Sequence, residues 1–156
     1  MQIPEKDRKI LVELRRDARA QLTHISKQTG IPISTIFDRL RNKVGGVIKR
    51  HVALLDFETL GFTTRAHICL KCTKTTRQKT YNMLVNHHNI NSLYKINNGY
   101  DFLVEAIFRN IKEVEEFIER LEEEYGVRTK QVFYIIDEIA REQFFADQIR
   151  AKLTQH

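Results

Sequence analysis

The side chains best placed to do chemistry fall between residues 33 and 50. Ser34, Thr35, Asp38, Arg41 and Asn42 recur at spacings that put them on the outer side of one helix, with Arg39 at its flank. Hydroxyls, an amide and guanidinium groups on one helix face are the chemistry that meets phosphates and base edges of duplex DNA. In such an arrangement Ser34, Thr35, Asp38, Arg41 and Asn42 face bases, while Arg39, Lys43, Lys49 and Arg50 neutralise phosphates. Asp38 repels phosphates. It either accepts from a cytosine amine, faces water or neutralises Arg39 or Arg41, and the intrahelical pairing is the expectation.

Other constellations carry less. Cys69 and Cys72 form a C-x-x-C, the spacing of zinc and redox sites. They fall on a strand-like run, where positions three apart point to opposite faces. Both sulfurs could not then meet one metal, and no second pair completes a tetrahedral set. His51, His67, His87 and His88 contain no helical i, i+4 ligand pair and read as surface histidines. Tyr100-Asp101 sits in a turn, where an aspartate usually caps backbone N–H groups. With no glycine-rich phosphate loop, nucleophile elbow or paired acid and base, neither enzymatic activity nor a cofactor is expected.

The elements that must position the 33–50 set begin with two short helices. Ile10, Leu11 and Leu14 mark one face between Pro4 and Asp17, and Pro4 suits a first helical turn. Leu22 and Ile25 belong to a second helix over about 22–29, which Gly30 is placed to end with positive φ. Pro32 restarts the chain into a third, running to about Lys43. Its residues Ile33, Ile36, Phe37, Leu40 and Val44 follow i, i+3, i+4 spacing and should pack on the first two helices. Helix, short turn, helix is the helix-turn-helix unit, whose second member lies in the major groove. After Gly45-Gly46, the β-prone run 47–52 is either a wing touching the DNA backbone or a basic linker strand. Residues 1–50 carry a net charge of +7 and the remainder −1, a nucleic-acid-binding head on a neutral body.

Beyond residue 52 the apolar period changes. Ala66, Ile68, Leu70 and Cys72 alternate with polar residues as a strand. Tyr81, Leu84, Val85 and His88 mark a helix over 76–88. Strands over about 91–97 and 101–108 are joined by the tight turn Asn97-Asn98-Gly99-Tyr100. Ile111, Val114, Phe117, Ile118, Leu121 and Tyr125 form one face of an amphipathic helix whose other face is acidic, ended by Gly126. Residues 127–139 read as a last strand. The order is βαββαβ, so the fold class is α+β, a winged helix-turn-helix followed by a ferredoxin-like sandwich. The expected divisions are 1–51 head, 52–63 hinge strand and linker, 64–139 body and 140–156 C-terminal helix. Val132, Tyr134 and Ile136 on one face of the last strand, with Phe133 and Ile135 on the other, predict two apolar sheet faces. The face without helices is then expected to dimerise.

In Asp7-Arg8-Lys9-Ile10-Leu11, Gly30-Ile31, Ser34-Thr35-Ile36, Arg39-Leu40-Arg41 and Gly46-Val47-Ile48, the head resembles the Lrp/AsnC family of transcription regulators. Ala53-Leu54-Leu55-Asp56 with Leu60-Gly61 looks like that family's hinge, and Tyr100-Asp101-Phe102 like its turn motif. Asn98 stands where the family usually has glycine, and the usual Leu-Glu end of the recognition helix is absent. The resemblance implies a winged helix-turn-helix binding double-stranded DNA and an effector domain. It also implies homodimers that build into tetramers or octamers, and DNA binding tuned by a small molecule, often an amino acid. It places the effector near Asn98, Gly99, Tyr100 and Asp101. The rival reading is a small-molecule sensor whose basic head docks an acidic protein partner. Two cysteines, no signal core and no long apolar span point to the cytoplasm.

Overall fold

The computed structural model describes residues 3–147, with only the backbone described at Lys43, Thr129 and Lys130. The chain divides into two compact units. One comprises the residues up to Leu54 together with those from Ile139 on, and the other is Leu55–Glu138.

The first unit is built on α1 (Glu5–Arg16), α2 (Leu22–Thr29) and α3 (Ile33–Arg41). Acids in the first turn of α1 and arginines in its last complement the helix dipole. Ile10, Leu11, Ile25, Ile31, Ile36 and Val44 form the core. Gly30 closes α2 at φ 70, its N–H donating to Ser26 O, and the Ser26 hydroxyl donates to Ile31 O at 2.7 Å. The α2–α3 turn is thus fixed from both ends.

Helix α3 stops two residues before the expected Lys43. The four-residue helical turn that follows, α4 (Lys43–Gly46), is irregular, with Val44, Gly45 and Gly46 all at positive φ (47°, 67° and 82°). Val44 holds this unfavourable conformation while fully buried, so its packing in the core offsets the local strain. Two of the five residues expected to pack inward do not. Ile33 is 44% and Phe37 56% exposed, because Ile36, Leu40 and Val44 already fill the space against α1 and α2.

No strand forms over 47–52 or over the expected hinge strand within 52–63. A strand needs a ladder partner, and no described segment supplies one there. Residues 140–147, the start of the expected C-terminal helix, are bends and turns with Glu142 and Phe145 at positive φ. Carbonyls that a helix would use internally accept from guanidinium groups instead: Arg15 donates to Glu142 O and Phe144 O, and Arg16 to Ala146 O. Phe145 packs against the first unit's core. Residues 148–156 lie outside the described residues.

The second unit runs β1 (Thr64–Lys71), α5 (Arg77–Asn86), β2 (Ile90–Lys95), β3 (Phe102–Phe108), α6 (Ile111–Tyr125), β4 (Thr129–Tyr134). The sheet is antiparallel in the order β2-β3-β1-β4, the ferredoxin-like arrangement. Ile68 sits opposite Val104 on one side and Val132 on the other, and this face packs on α5 and α6. Asn110 caps α6 by accepting from Glu113 N–H, and Gly126 ends it at φ 63. In α5 the buried pair is Thr80 and Leu84, while Tyr81 and Val85 are exposed. Thr80 can be buried because its hydroxyl donates to Thr76 O. Strand β4 is shorter than 127–139: Ile135 N–H reaches Arg65 O, and β1 then runs out at Thr64. Ile136 and Ile139 are consequently left almost fully exposed.

The second sheet face is not the apolar surface expected. Its centre is Glu105, only 7% exposed, which accepts from Arg65, Ser92 and Asn91 at 2.6–2.8 Å. Exposed Tyr94 and Phe133 lie outside that polar centre.

Candidate nucleic-acid interface

Taking Ile36 as the inward direction, successive helical residues turn by about 100°. Ser34, Asp38 and Arg41 then point most directly outward, and all three are exposed. Thr35 is half-buried on one flank, and Asn42 is exposed at the C-cap, donating its N–H to Asp38 O. Sequence spacing therefore spreads the five base-facing candidates along the whole length of α3, on its outward side and one flank. The first turn of α3 contains no acidic residue and no side-chain cap, leaving its N–H groups without competition from a carboxylate.

The cationic candidates behave differently from one another. Arg39 is tied down: its guanidinium donates to Asp7 Oδ2 at 3.3 Å, and the Asp7 carboxylate is buried. This pair also replaces the intrahelical bridge expected for Asp38, which makes no ion pair among the described residues. Arg41 likewise makes none. Lys49 and Arg50 are exposed on irregular chain after the glycine turn, and the side chain of Lys43 lies outside the described residues. Sequence spacing could not reveal the Asp7 contact, since the two residues are 32 positions apart.

The turn singled out for an effector is built tightly. Asn98 and Gly99 take φ 59 and 85, and Tyr100 N–H donates to Asn97 O. Two successive positive φ values define a type I′ turn, and asparagine is the non-glycine residue that best tolerates the first. Asp101 is buried, and its carboxylate accepts from Cys72 N–H at 2.8 Å and Arg77 at 2.7 Å, with Lys71 at 3.7 Å. It fastens β3 to the end of β1 and the start of α5. Asn98 and Gly99 are exposed and Tyr100 half-buried.

A separate cleft of about 510 Å³ lies along α5 and α6, lined by Lys79, Asn82, His87, His88, Arg120 and Tyr125 among others. The His87 and His88 rings stack at 4.7 Å. Burial, then the neighbouring His88 and Arg120, hold the His87 imidazole below its ordinary value. Cys69 and Cys72 are free thiols, and burial pushes that of Cys72 up, away from reactivity. Among the described residues no cluster of three or more His, Cys, Asp or Glu could hold a metal. No described helix is long and apolar enough to cross a membrane.

Comparison with known proteins assigns both units. Residues 5–42 match the AsnC-type helix-turn-helix domain, and residues 64–143 the Lrp/AsnC ligand binding domain. The chain belongs to the Lrp/AsnC family. It is 31% identical over 139 residues to the HTH-type transcriptional regulator FL11 of Pyrococcus horikoshii, covering 87% of this chain and 92% of that protein. A transcriptional regulator of Neisseria meningitidis, solved as an L-Met complex, superposes with a TM-score of 0.82 at 20% identity, covering 90% of this chain and 94% of that one. A feast or famine regulatory protein of Mycobacterium tuberculosis complexed with L-methionine gives 0.80 at 18%, covering 91% and 97%. This Lrp/AsnC protein is accordingly a DNA-binding transcriptional regulator, with a helix-turn-helix head and the family's ligand-binding fold as its body.

Proposed function

We propose that this Lrp/AsnC regulator reads its operator through the outer face of α3. Ser34, Thr35, Asp38, Arg41 and Asn42 lie against bases in the major groove, and Lys43, Lys49 and Arg50 against phosphates. The observation that carries this reading is the exposed face itself, where Arg41 has no ion-pair partner among the described residues while neighbouring Arg39 is spent on Asp7. Each phosphate contact contributes about 0.9 to the slope of log affinity against log salt. The protein is proposed to act in the cytoplasm as a binding protein, not an enzyme, assembled as a homodimer or higher oligomer. An amino acid is the proposed effector class, supported by the L-methionine complexes of two structural neighbours. The region of Asn98, Gly99 and Tyr100 is its proposed site, with Asp101 holding the turn rather than the ligand.

The test is fluorescence-anisotropy binding of the full chain to duplex DNA from the gene's own upstream region, against scrambled duplex, at several salt concentrations. A preference of about 10³ or more with a steep salt slope is expected. Arg41→Ala should relax base preference by about 1–3 kcal/mol or flatten the slope by about one unit. Absence of binding at low salt would overturn the reading and favour an acidic protein partner.

A further inference from the structure

Phe37 is the least expected residue on α3. Its spacing assigns it to the core, yet it is 56% exposed, and Ile33 one turn before it is 44% exposed. With Ile36 inward, Phe37 lies about 100° round the helix and Arg41 about 140°, so Ile33, Phe37 and Arg41 form a column at i, i+4, i+8. Single exposed apolar side chains are ordinary. Two stacked in register with an arginine that has no ion-pair partner among the described residues, along the border of the polar face of α3, are a surface with a composition. The space beneath the helix is already filled by Ile36 and Val44, which are fully buried.

The major groove offers one apolar feature at this position, the C5-methyl group of thymine. We propose that Phe37, backed by Ile33, is a specificity-determining residue that packs on a thymine methyl beside the base pair met by Arg41. The inference rests on α3 being the DNA-reading helix. A groove about 12 Å wide accepts a helix of about 10–12 Å with its side chains, so residues at the border of the outward face meet the outer edge of the groove floor, where a thymine C5-methyl projects beside its own strand. An aromatic ring there has no hydrogen bond to offer a base. Its selectivity is for a methyl, and it discriminates thymine from cytosine at a position where Arg41 cannot.

The test uses the full chain and two steps. Selection from a random duplex pool gives the preferred DNA, in which each thymine is then replaced singly by deoxyuridine, removing only the methyl. Binding of the native chain should weaken about fourfold at one or two thymines, the effect of burying one methyl group. Phe37→Ala should bind thymine and uracil duplexes equally at those positions, and Phe37→Leu should retain part of the difference. The uracil scan of the native chain requires no variant, so a folding defect in Phe37→Ala cannot hide the answer. Native binding indifferent to uracil at every thymine overturns the inference, as does an undiminished uracil effect in Phe37→Ala. A change in oligomer mass on Phe37→Ala without a uracil effect also overturns it and gives the surface to a second copy of the chain. Failure to enrich any duplex would instead sink the DNA-reading role of α3 and this inference with it.

Discussion

Asp7 and Arg39 illustrate how one residue's work depends on a partner far off in the chain. Removing Arg39 leaves a carboxylate at 4% exposure without its cation, one of whose oxygens already has no hydrogen-bond partner among the described residues. Arg39→Ala should therefore destabilise the head by about 1–3 kcal/mol, while Arg41→Ala leaves stability within about 0.5 kcal/mol. Thermal melting of the two variants beside their salt slopes separates the roles. An Arg39→Ala protein that melts like the native one but loses a unit of slope would return Arg39 to the phosphates. Glu105 is the body's counterpart. Burial alone would raise its carboxyl, but hydrogen bonds from Ser92 and Asn91 and the Arg65 guanidinium outweigh burial and hold it below the ordinary value of 4.5. A carboxyl depressed in the folded state stabilises fully above the unfolded value and loses that contribution as pH falls through the folded one. Stability should thus decline from about pH 4.5 downward, and Glu105→Gln should flatten that acid limb. Urea titrations at stepped pH would show it, and an unchanged limb would mean other carboxylates govern acid unfolding.

Turns and helix ends are where local sequence controls whole elements. Gly99 holds φ 85 with open space where a Cβ would stand, so Gly99→Ala costs only the backbone penalty, about 1 kcal/mol, while Asn98→Gly should be near neutral. Urea midpoints of the two variants check this, and an unaffected Gly99→Ala would mean that the β2–β3 turn relaxes to another type. The same kind of signal made much of the fold readable: Gly30, Gly126 and Asn98-Gly99 each carry the backbone angle their residue type advertises. Alternation in Ala66, Ile68 and Leu70 likewise matched a strand with one buried face. What periodicity could not supply was competition for space. Phe37 and Tyr81 are apolar at correct helical spacing, yet smaller neighbours such as Ile36 and Thr80 fill the interior. Nor could it supply the ladder partners that residues 47–52 and 136–139 lack. At the interface, the outward set on α3 was legible because helical geometry alone places it. The immobilisation of Arg39 and Asp101 was not, since both depend on contacts between distant segments.

At the scale of the molecule, the chain completes its first unit only after making its second. Residues 139–147 follow the sheet in sequence but group with the helices of the head. Three observations fix them there: Phe145 against the head core, Arg15 on Glu142 and Phe144, and Arg16 on Ala146 at 2.9 Å. Two arginines that a charge count would offer to DNA are thereby engaged in surface contacts within the protein, and Glu142 beside Arg15 and Glu13 at 3.7 Å from Arg16 offset part of their charge. The stability of the DNA-binding unit then depends on a phenylalanine more than 90 residues beyond α3 in sequence. Phe145→Ala removes a half-buried ring while leaving the guanidinium contacts to backbone carbonyls in place. It should weaken the head by about 1–2 kcal/mol, below the cost of a fully buried phenylalanine. That corresponds to roughly 5–15 °C in the melting temperature of a unit of this size. Hydrogen-exchange mass spectrometry on the full chain resolves where the loss falls. Protection should drop across α1, α2 and α3 and hold across β1, β3 and α6. An equal loss in both units would mean that the C-terminal segment stabilises the whole chain rather than the head, and no loss in either would mean that Phe145 contributes nothing to the core it touches.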